Sequence, residues 1–291
     1  AILLGEDFLS EHFFTTDATK ESFQARVVAR RKEWDAAEVP TARSRFTAER
    51  AALETTLADL TSPNGSTDPA GHAEAARTVY ATLRRVLGYD DAGYHTHRTG
   101  PALAVSAPGI TAGAPLVLIE ATPVDAVDDL LEKDAPTLLE PWEPDETTRV
   151  TSVPRLLSAL FVAEDGPDFA LVLAGRWLLL TEKVRWAEGR YLAVDLQLVC
   201  ERSETKRGGE IDRALTCVAA DSLAPDADGA IWWAQTLEES VKHTVGVSQD
   251  LREGVRLSIE IIANEVGARR RATGLPPLPA GQAQPLAKQS L

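Results

Sequence analysis

Glu120 is the residue whose surroundings in the sequence come nearest to a hydrolytic arrangement. It ends the apolar run in PLVLIEATP, which predicts a buried strand over Leu116–Glu120. Metal-dependent nucleases of the restriction type place such a carboxylate two residues before a lysine, and the two groups together hold a metal ion and its water. Here the residue two positions later is Thr122. The sequence therefore predicts a nuclease-like acid without the lysine that polarises the attacking water.

The remaining parts of a metal site are also weak in this sequence. A restriction-type nuclease needs an aspartate on the preceding strand, and Asp90 and Asp91 are the candidates by distance along the chain. Both lie between Gly88 and Gly93, in a segment typical of a turn. The five histidines do not have the spacing of a zinc site, and no glycine-rich phosphate loop is present. We therefore expect no metal site, and Glu120 as a degenerate nuclease acid.

Two groups of basic residues are candidates for contact with DNA phosphates. One group lies on a predicted helix, opposite its apolar stripe, and the other precedes Gly208–Gly209, where a helix is predicted to begin. Backbone N–H groups at a helix start favour anions. For both groups an ordinary solvated surface is the alternative interpretation. The candidate residues are Arg26, Arg30, Arg31, Lys32, Lys206 and Arg207.

The overall charge limits what these groups could do. The chain of 291 residues carries 44 acidic and 30 basic side chains, a formal net charge of −14. A surface that clamps nucleic acid needs exposed Lys and Arg throughout, so DNA binding is expected to be weak, non-specific and confined to local basic patches. The pair Trp232–Trp233 could stack on bases, although anchoring a helix to the core is the alternative.

The sequence favours a cytoplasmic location. No apolar run reaches the length of about 18 residues that a membrane helix needs, and the first residues lack the basic region of a signal peptide. The two cysteines, Cys200 and Cys217, are too few for a disulfide framework and are expected to be buried thiols. We therefore predict a cytoplasmic protein without a membrane partner.

Helical periods dominate both ends of the chain. Apolar stripes predict one helix capped by Asp17, a second over 43–60 and a third that stops at Gly88. Turn residues over 61–71 indicate a linker between the second and third helices. The last third is helical again, with a break capped by Ser248.

Short apolar runs and turn residues dominate the middle of the chain. Helices, then a small mixed sheet, then helices predict an α+β or α/β fold. The predicted strands are 102–107, 116–121, 169–174, 176–182 and 190–199, with turns at 108–115, Gly175 and 187–189 and helices near 124–132 and 153–163. The predicted parts are a helical part (1–65), a sheet domain with a degenerate restriction-nuclease-like core (66–205), a second helical part (206–274) and a Pro-rich linker (275–291).

The run PDFALVLAGRWLLLTEKVRWAEGRYLAVDLQLVCER resembles the N-terminal region of large bacterial adenine-specific DNA methyltransferases. These are enzymes of the type IIG restriction–modification kind, with relatives in the BREX and DISARM phage-defence systems. The resemblance rests on a strand pair with a Gly–Arg turn and a Trp, then a Tyr–Leu strand ending near Asp–Leu. The matching residues are Phe169–Ala174, Gly175–Arg176–Trp177, Tyr191–Leu192 and Asp195–Leu196.

The resemblance implies a parent enzyme that uses S-adenosylmethionine to methylate adenine in DNA. That family grips the flipped adenine with an Asn-Pro-Pro-Tyr-type tetrapeptide, and the only Pro–Pro here is Pro276–Pro277, preceded by Leu275. These residues are therefore expected to lie before the methyltransferase core and to bind no cofactor. They are expected to act as a scaffold, or to contact DNA or other defence-system subunits. An active metal-dependent endonuclease and an unrelated interaction module are the alternatives.

Overall fold

The computed structural model describes residues 1–16, 22–61, 68–108 and 113–276, apart from the side chains of Val247 and Ser248. Contacts between residues divide the chain into two units, Ala1–Glu238 and Glu239–Leu291. The first unit holds a seven-stranded sheet and the helices that pack on it. The domain boundaries predicted at residues 65, 205 and 274 stay predictions.

The elements follow one another in the order helices, mixed sheet and helices, with a single strand before them. The strands are β1 (Ile2–Gly5), β2 (His95–Thr99), β3 (Ala102–Ser106), β4 (Leu116–Glu120), β5 (Phe169–Ala174), β6 (Trp177–Glu182) and β7 (Tyr191–Asp195). The helices are α1 (Glu11–Thr15), α2 (Phe23–Ala36), α3 (Ala42–Thr61), α4 (Pro69–Leu87), α5 (Val127–Leu131), α6 (Val153–Val162), α7 (Lys183–Ala187), α8 (Leu196–Arg202), α9 (Glu210–Val218), α10 (Ala220–Leu223) and α11 (Trp232–Ala272). The α+β prediction is confirmed.

The sheet has the strand order β1-β7-β6-β5-β4-β3-β2. Only β4 and β5 pair in parallel, and the other neighbours are antiparallel. A parallel pair needs a crossover connection, and here that connection carries α5 and α6. The predicted hairpin at Gly175 is present, since Ala174 pairs with Trp177 across β5 and β6.

Both faces of the sheet are covered, because its central strands are apolar on both sides. In β4, Leu116 and Leu118 pack with helices α2, α3, α4 and α9, whereas Val117 and Ile119 pack with α5 and α6. All five residues of β4 are buried, the last of them being Glu120. The strand that carries the candidate acid is therefore held between two layers of helices.

Several predicted elements need correction. The predicted strand 190–199 ends at Asp195, whose carboxylate accepts the N–H of Leu198 and so begins helix α8. Helix α7 lies where strand 176–182 was predicted to turn directly into the next strand. The sequence did not predict β1 and β2. The exposure of β2 explains why that strand was missed. HTHRT is an edge strand whose first four residues are exposed, so it lacks an apolar face.

Helix boundaries differ from the prediction at two further places. The side chain of Ser22 accepts the N–H of Ala25 and begins α2, whereas Asp17 lies outside the described residues. Helix α11 runs without interruption from Trp232 to Ala272, so the break predicted at Ser248 is wrong. Parts of the predicted linker and hairpin loop (62–67 and 109–112) and most of the Pro-rich tail (277–291) lie outside the described residues.

Within the described ranges, the structure has no helix that combines the length and apolar character of a membrane span.

Candidate functional site

Glu120 lies at the end of β4, 4% exposed, between two arginines. Arg84 of α4 donates from Nη1 to Oε1 of Glu120 at 2.5 Å. Arg98 of β2 donates to both oxygens, from Nη2 to Oε1 at 2.9 Å and from Nη1 to Oε2 at 3.0 Å. The hydrogen bond with Glu120 raises the pKa of Arg98 above its ordinary value. Two guanidinium groups thus bind the carboxylate oxygens that would hold the metal ion in a nuclease.

The groups that would complete a restriction-type site are not beside Glu120. The preceding strand, β3, has the sequence ALAVS and contains no acid. Its neighbouring Pro101 accepts the backbone N–H of Glu120 at 2.9 Å. Thr122, at the position of the lysine, donates its backbone N–H to Thr137 at 2.8 Å. Among the residues that the structure describes, no three His, Cys, Asp or Glu side chains form a group that could hold a metal ion.

The two aspartates considered from the sequence are also paired with arginines. Asp91 pairs with both terminal nitrogens of Arg45, at 3.0 and 3.1 Å. Asp90 lies 3.7 Å from Nε of Arg84. They are in the turn that the sequence predicts, after the left-handed cap Gly88. Arg84 thus contacts both Asp90 and Glu120, whereas Asp91 is held by Arg45 after the end of α4.

Tyr80 fixes the chain that follows Glu120. Its hydroxyl donates to the carbonyl of Ala121 at 2.6 Å and accepts the N–H of Gly175 at 2.8 Å. Burial raises the pKa of Tyr80, and the charge of Glu120 acts in the same direction. Tyr80 therefore stays protonated and joins α4 to the end of β4 and to the β5–β6 turn.

The motif behind the methyltransferase resemblance forms one connected structure. Arg176 donates from Nη2 and Nε to the two oxygens of Asp195, at 2.5 and 3.1 Å. The indole of Trp177 donates to the carbonyl of Asp125 at 2.9 Å. The Gly–Arg turn thus holds the start of α8 on one side and the chain after β4 on the other. These contacts are internal to the fold, so the motif has a structural role.

The basic residues of α2 are mostly engaged inside the protein. Arg31 donates to both oxygens of the fully buried Asp212 at 3.0 Å and from Nε to Asp35 at 2.7 Å. Arg30 pairs with Glu33 at 2.7 Å, and its side chain is 12% exposed. Lys32 is exposed on the same helix. The geometry leaves Lys32 as the most accessible of the three, and DNA contact by this helix stays a prediction.

The aromatic pair at the start of α11 packs within the first unit. Trp233 is fully buried and donates its indole N–H to the carbonyl of Cys217 at 2.9 Å. Its ring stacks on Phe23 with 6.0 Å between centroids. Trp232 lies against the guanidinium groups of Arg26 and Arg30, at 5.0 and 5.7 Å from their central carbons. The anchoring alternative is therefore correct for Trp233.

Lys206 and Arg207 line a pocket of about 580 Å³ in front of α9. Both side chains are exposed, and Arg207 pairs with Asp35 at 3.2 Å. Two further arginines, Arg202 and Arg213, line the same pocket. Of the candidate groups, this one presents the most accessible positive charge.

The chain's own carboxylates already occupy the start of α9. Glu204 accepts the N–H of Glu210 at 3.0 Å, and Asp212 accepts the N–H of Gly208 at 2.8 Å. The helix does begin after Gly208–Gly209 as predicted. A phosphate would therefore meet the Lys206 and Arg207 side chains, while these two N–H groups stay with their carboxylates.

Comparison of the chain with protein-family models, with curated proteins and with solved structures finds no match. The resemblance to restriction–modification methyltransferases therefore stays a prediction.

Sequence reasoning missed the residues that decide the state of the buried acids Glu120 and Asp212. Arg84 and Arg98 lie 36 and 22 residues before Glu120, on elements whose contacts no local spacing reveals. Asp212 was not singled out, yet it also binds Arg43, whose Nε lies 2.9 Å from Oδ1. One usable signal was its place in α9, since a helix position between Ile211 and Leu215 suggests burial.

Proposed function

We propose that this chain is a non-catalytic module of a DNA-modifying phage-defence enzyme, whose parent methylates adenine in DNA with S-adenosylmethionine. The observation that carries the absence of catalysis is the pairing of Glu120 with Arg84 and Arg98. A metal ion at this carboxylate would have to displace two hydrogen-bonded guanidinium groups and would be repelled by both. The role left to the sheet is that of a scaffold in the cytoplasm.

DNA contact, in this proposal, is local and rests mainly on Lys206 and Arg207. Their side chains are exposed beside Arg202 and Arg213, and the four bases of this pocket outnumber its two acids, Glu204 and Glu210, on an acidic protein. Such a region neutralises only a few phosphates, so dissociation constants of roughly 10⁻⁴ to 10⁻⁶ M at physiological salt are expected. Base sequence would be read by other parts of the parent enzyme or by further defence subunits.

A plasmid experiment tests both halves of the proposal. Supercoiled DNA is incubated with the chain and Mg²⁺ or Mn²⁺, and we expect no nicking. Nicking that disappears in Glu120→Ala would establish the alternative, an active metal-dependent endonuclease, and would overturn the proposal. Nicking by the unsubstituted chain that is lost in Glu120→Gln would also overturn the proposal.

Binding to two unrelated duplexes is then measured over a range of salt concentrations. We expect equal, weak affinities that fall with salt, and a smaller salt dependence for Lys206→Ala/Arg207→Ala. The matched control is Arg149→Ala/Arg155→Ala, because both side chains are well exposed in an acidic part of the chain. Binding that is indifferent to salt, or lost equally in both double variants, would contradict the assigned contact.

A further inference from the structure

The edge strand β2 carries two histidines on one face. His95 and His97 are two residues apart, so their side chains point to the same side of the sheet. They pair in register with Ser106 and Ala104 of β3, two small residues. Both histidines are exposed. Two imidazoles are therefore presented side by side on a strand whose backbone is fixed by its neighbour.

The outer edge of β2 pairs with no strand within the described part of the chain. Its exposed backbone groups can add another strand, as free sheet edges do. Arg98 does not compete for the histidine face, because its side chain points the opposite way, to Glu120. The histidine face and the free edge thus belong to the same five residues.

We propose that His95 and His97 form half of a transition-metal site, and that β2 of a second copy of this chain supplies the other half. Imidazole nitrogen suits Zn²⁺, Ni²⁺ and Cu²⁺, and zinc takes four ligands in tetrahedral geometry. One copy offers two imidazoles, and no third His, Cys, Asp or Glu joins them among the described residues. The site is therefore incomplete without the second copy.

Antiparallel pairing of two β2 strands about Thr96 brings the four histidines together. In that register His95 lies opposite His97 of the second copy, and both pairs stand on the same face. Directly opposite Cβ atoms are about 5 Å apart, and successive residues on one face of a strand are about 7 Å apart. A metal ion above the centre of this rectangle is about 4 Å from each Cβ in projection, within reach of an imidazole ring.

The metal should control the association. Five paired residues bury far less than the area of about 1,200 Å² that stable interfaces need, and two copies with a net charge of −14 each repel one another. The ion contributes metal–nitrogen bonds and two positive charges at the junction. Dimers are therefore expected with the metal and not without it.

Sedimentation velocity with Zn²⁺ or Ni²⁺, and with a chelator, tests the proposal. We expect a monomer in the chelator, a dimer with either metal, and one bound ion for two chains by metal analysis. His95→Ala/His97→Ala should abolish both the dimer and the bound ion. The control is His72→Ala, because His72 lies on helix α4 and should leave both unchanged.

Three results would overturn the proposal. One is a chain that stays monomeric at saturating metal. Another is a metal-dependent dimer that persists in the double histidine variant. The third is one ion bound to each monomer without association. All substituted side chains are on the surface or partly exposed, so each variant is expected to fold, which circular dichroism would verify.

Discussion

Asp212 has no exposed surface, yet its carboxylate accepts hydrogen bonds from three different parts of the chain. Arg31 of α2 and Arg43 of α3 bind it from the side chain, and Gly208 binds it from the backbone. A buried carboxylate is costly to desolvate unless its oxygens are satisfied and its charge is paired. This carboxylate therefore acts as a junction, and its removal would leave two arginines facing each other.

Asp212→Ala should destabilise the chain strongly. Removing one partner of a buried ion pair typically costs about 3–5 kcal/mol, because the remaining charge is left uncompensated. Urea unfolding followed by tryptophan fluorescence would measure the change. Asp35→Ala is the matched control, since Asp35 also binds Arg31 but is itself exposed. Similar losses in the two variants would mean that the buried junction does not contribute as proposed.

The β5–β6 turn shows at the level of an element why one glycine is required. Gly175 has φ of 68° and lies so close to Pro123 that an added Cβ would be 2.8 Å from the Pro123 Cβ. The turn must approach the chain after β4, because its N–H binds Tyr80 there. Both the left-handed backbone and the close approach exclude a side chain at this position.

Gly175→Ala should therefore lower the free energy of unfolding by more than a left-handed backbone alone would. Gly189 provides the comparison, since its φ is 75° and nothing lies within 4 Å of an added Cβ. We expect Gly189→Ala to cost about 1–2 kcal/mol, and Gly175→Ala to cost clearly more. Thermal unfolding of the two variants measures the difference. Equal costs would show that Pro123 moves away without penalty.

Sequence patterns predicted the five inner strands of the sheet and missed its two edge strands, β1 and β2. Strands β4, β5 and β6 are mainly apolar, and all three were found, whereas β2 is polar and exposed at the edge of the sheet. The missing β2 also explains the missing site residue, because Arg98 lies on it. The end of β7 was misjudged because Leu196 and Val199 suit a strand as well as a helix, and the capping bond of Asp195 decides for the helix.

The same limit applies to the candidate site. Glu120 at a strand end and Thr122 in place of lysine could be read from the sequence, because both belong to one short segment. The arginines that neutralise Glu120 come from α4 and β2, and only the folded sheet brings them to it. Spacing along the chain carries no information about such contacts. The pairing of Glu120 with two arginines is therefore visible only in the structure.

The two thiols make the stability of the whole molecule sensitive to alkaline pH. Burial raises the pKa of Cys200 and of Cys217 to about 12, from an ordinary value of 9.0. Between these values an unfolded chain loses thiol protons that the folded chain retains. The folded state then binds more protons than the unfolded state, so stability falls as the pH rises through this range.

We expect the free energy of unfolding to decline from about pH 9 towards pH 12, with a shallower decline in Cys217→Ala. Each fully protected thiol contributes about 1.4 kcal/mol for each pH unit in this window. Urea titrations at several pH values measure the slope, and comparison of slopes cancels the loss of the side chain's packing. An unchanged slope in Cys217→Ala would show that this thiol ionises equally in both states.

Strand β1 pairs with β7, the last strand of the sheet along the chain, and Ile2 lies opposite Val194. During synthesis the first strand therefore leaves the ribosome well before its partner exists. At about 5–20 residues per second, the interval is roughly 10–40 s. For that time β1 is an apolar segment without a partner, and the outer side of β7 stays open until β1 returns to it. A chaperone that binds short apolar segments would have its best opportunity on β1 in that interval.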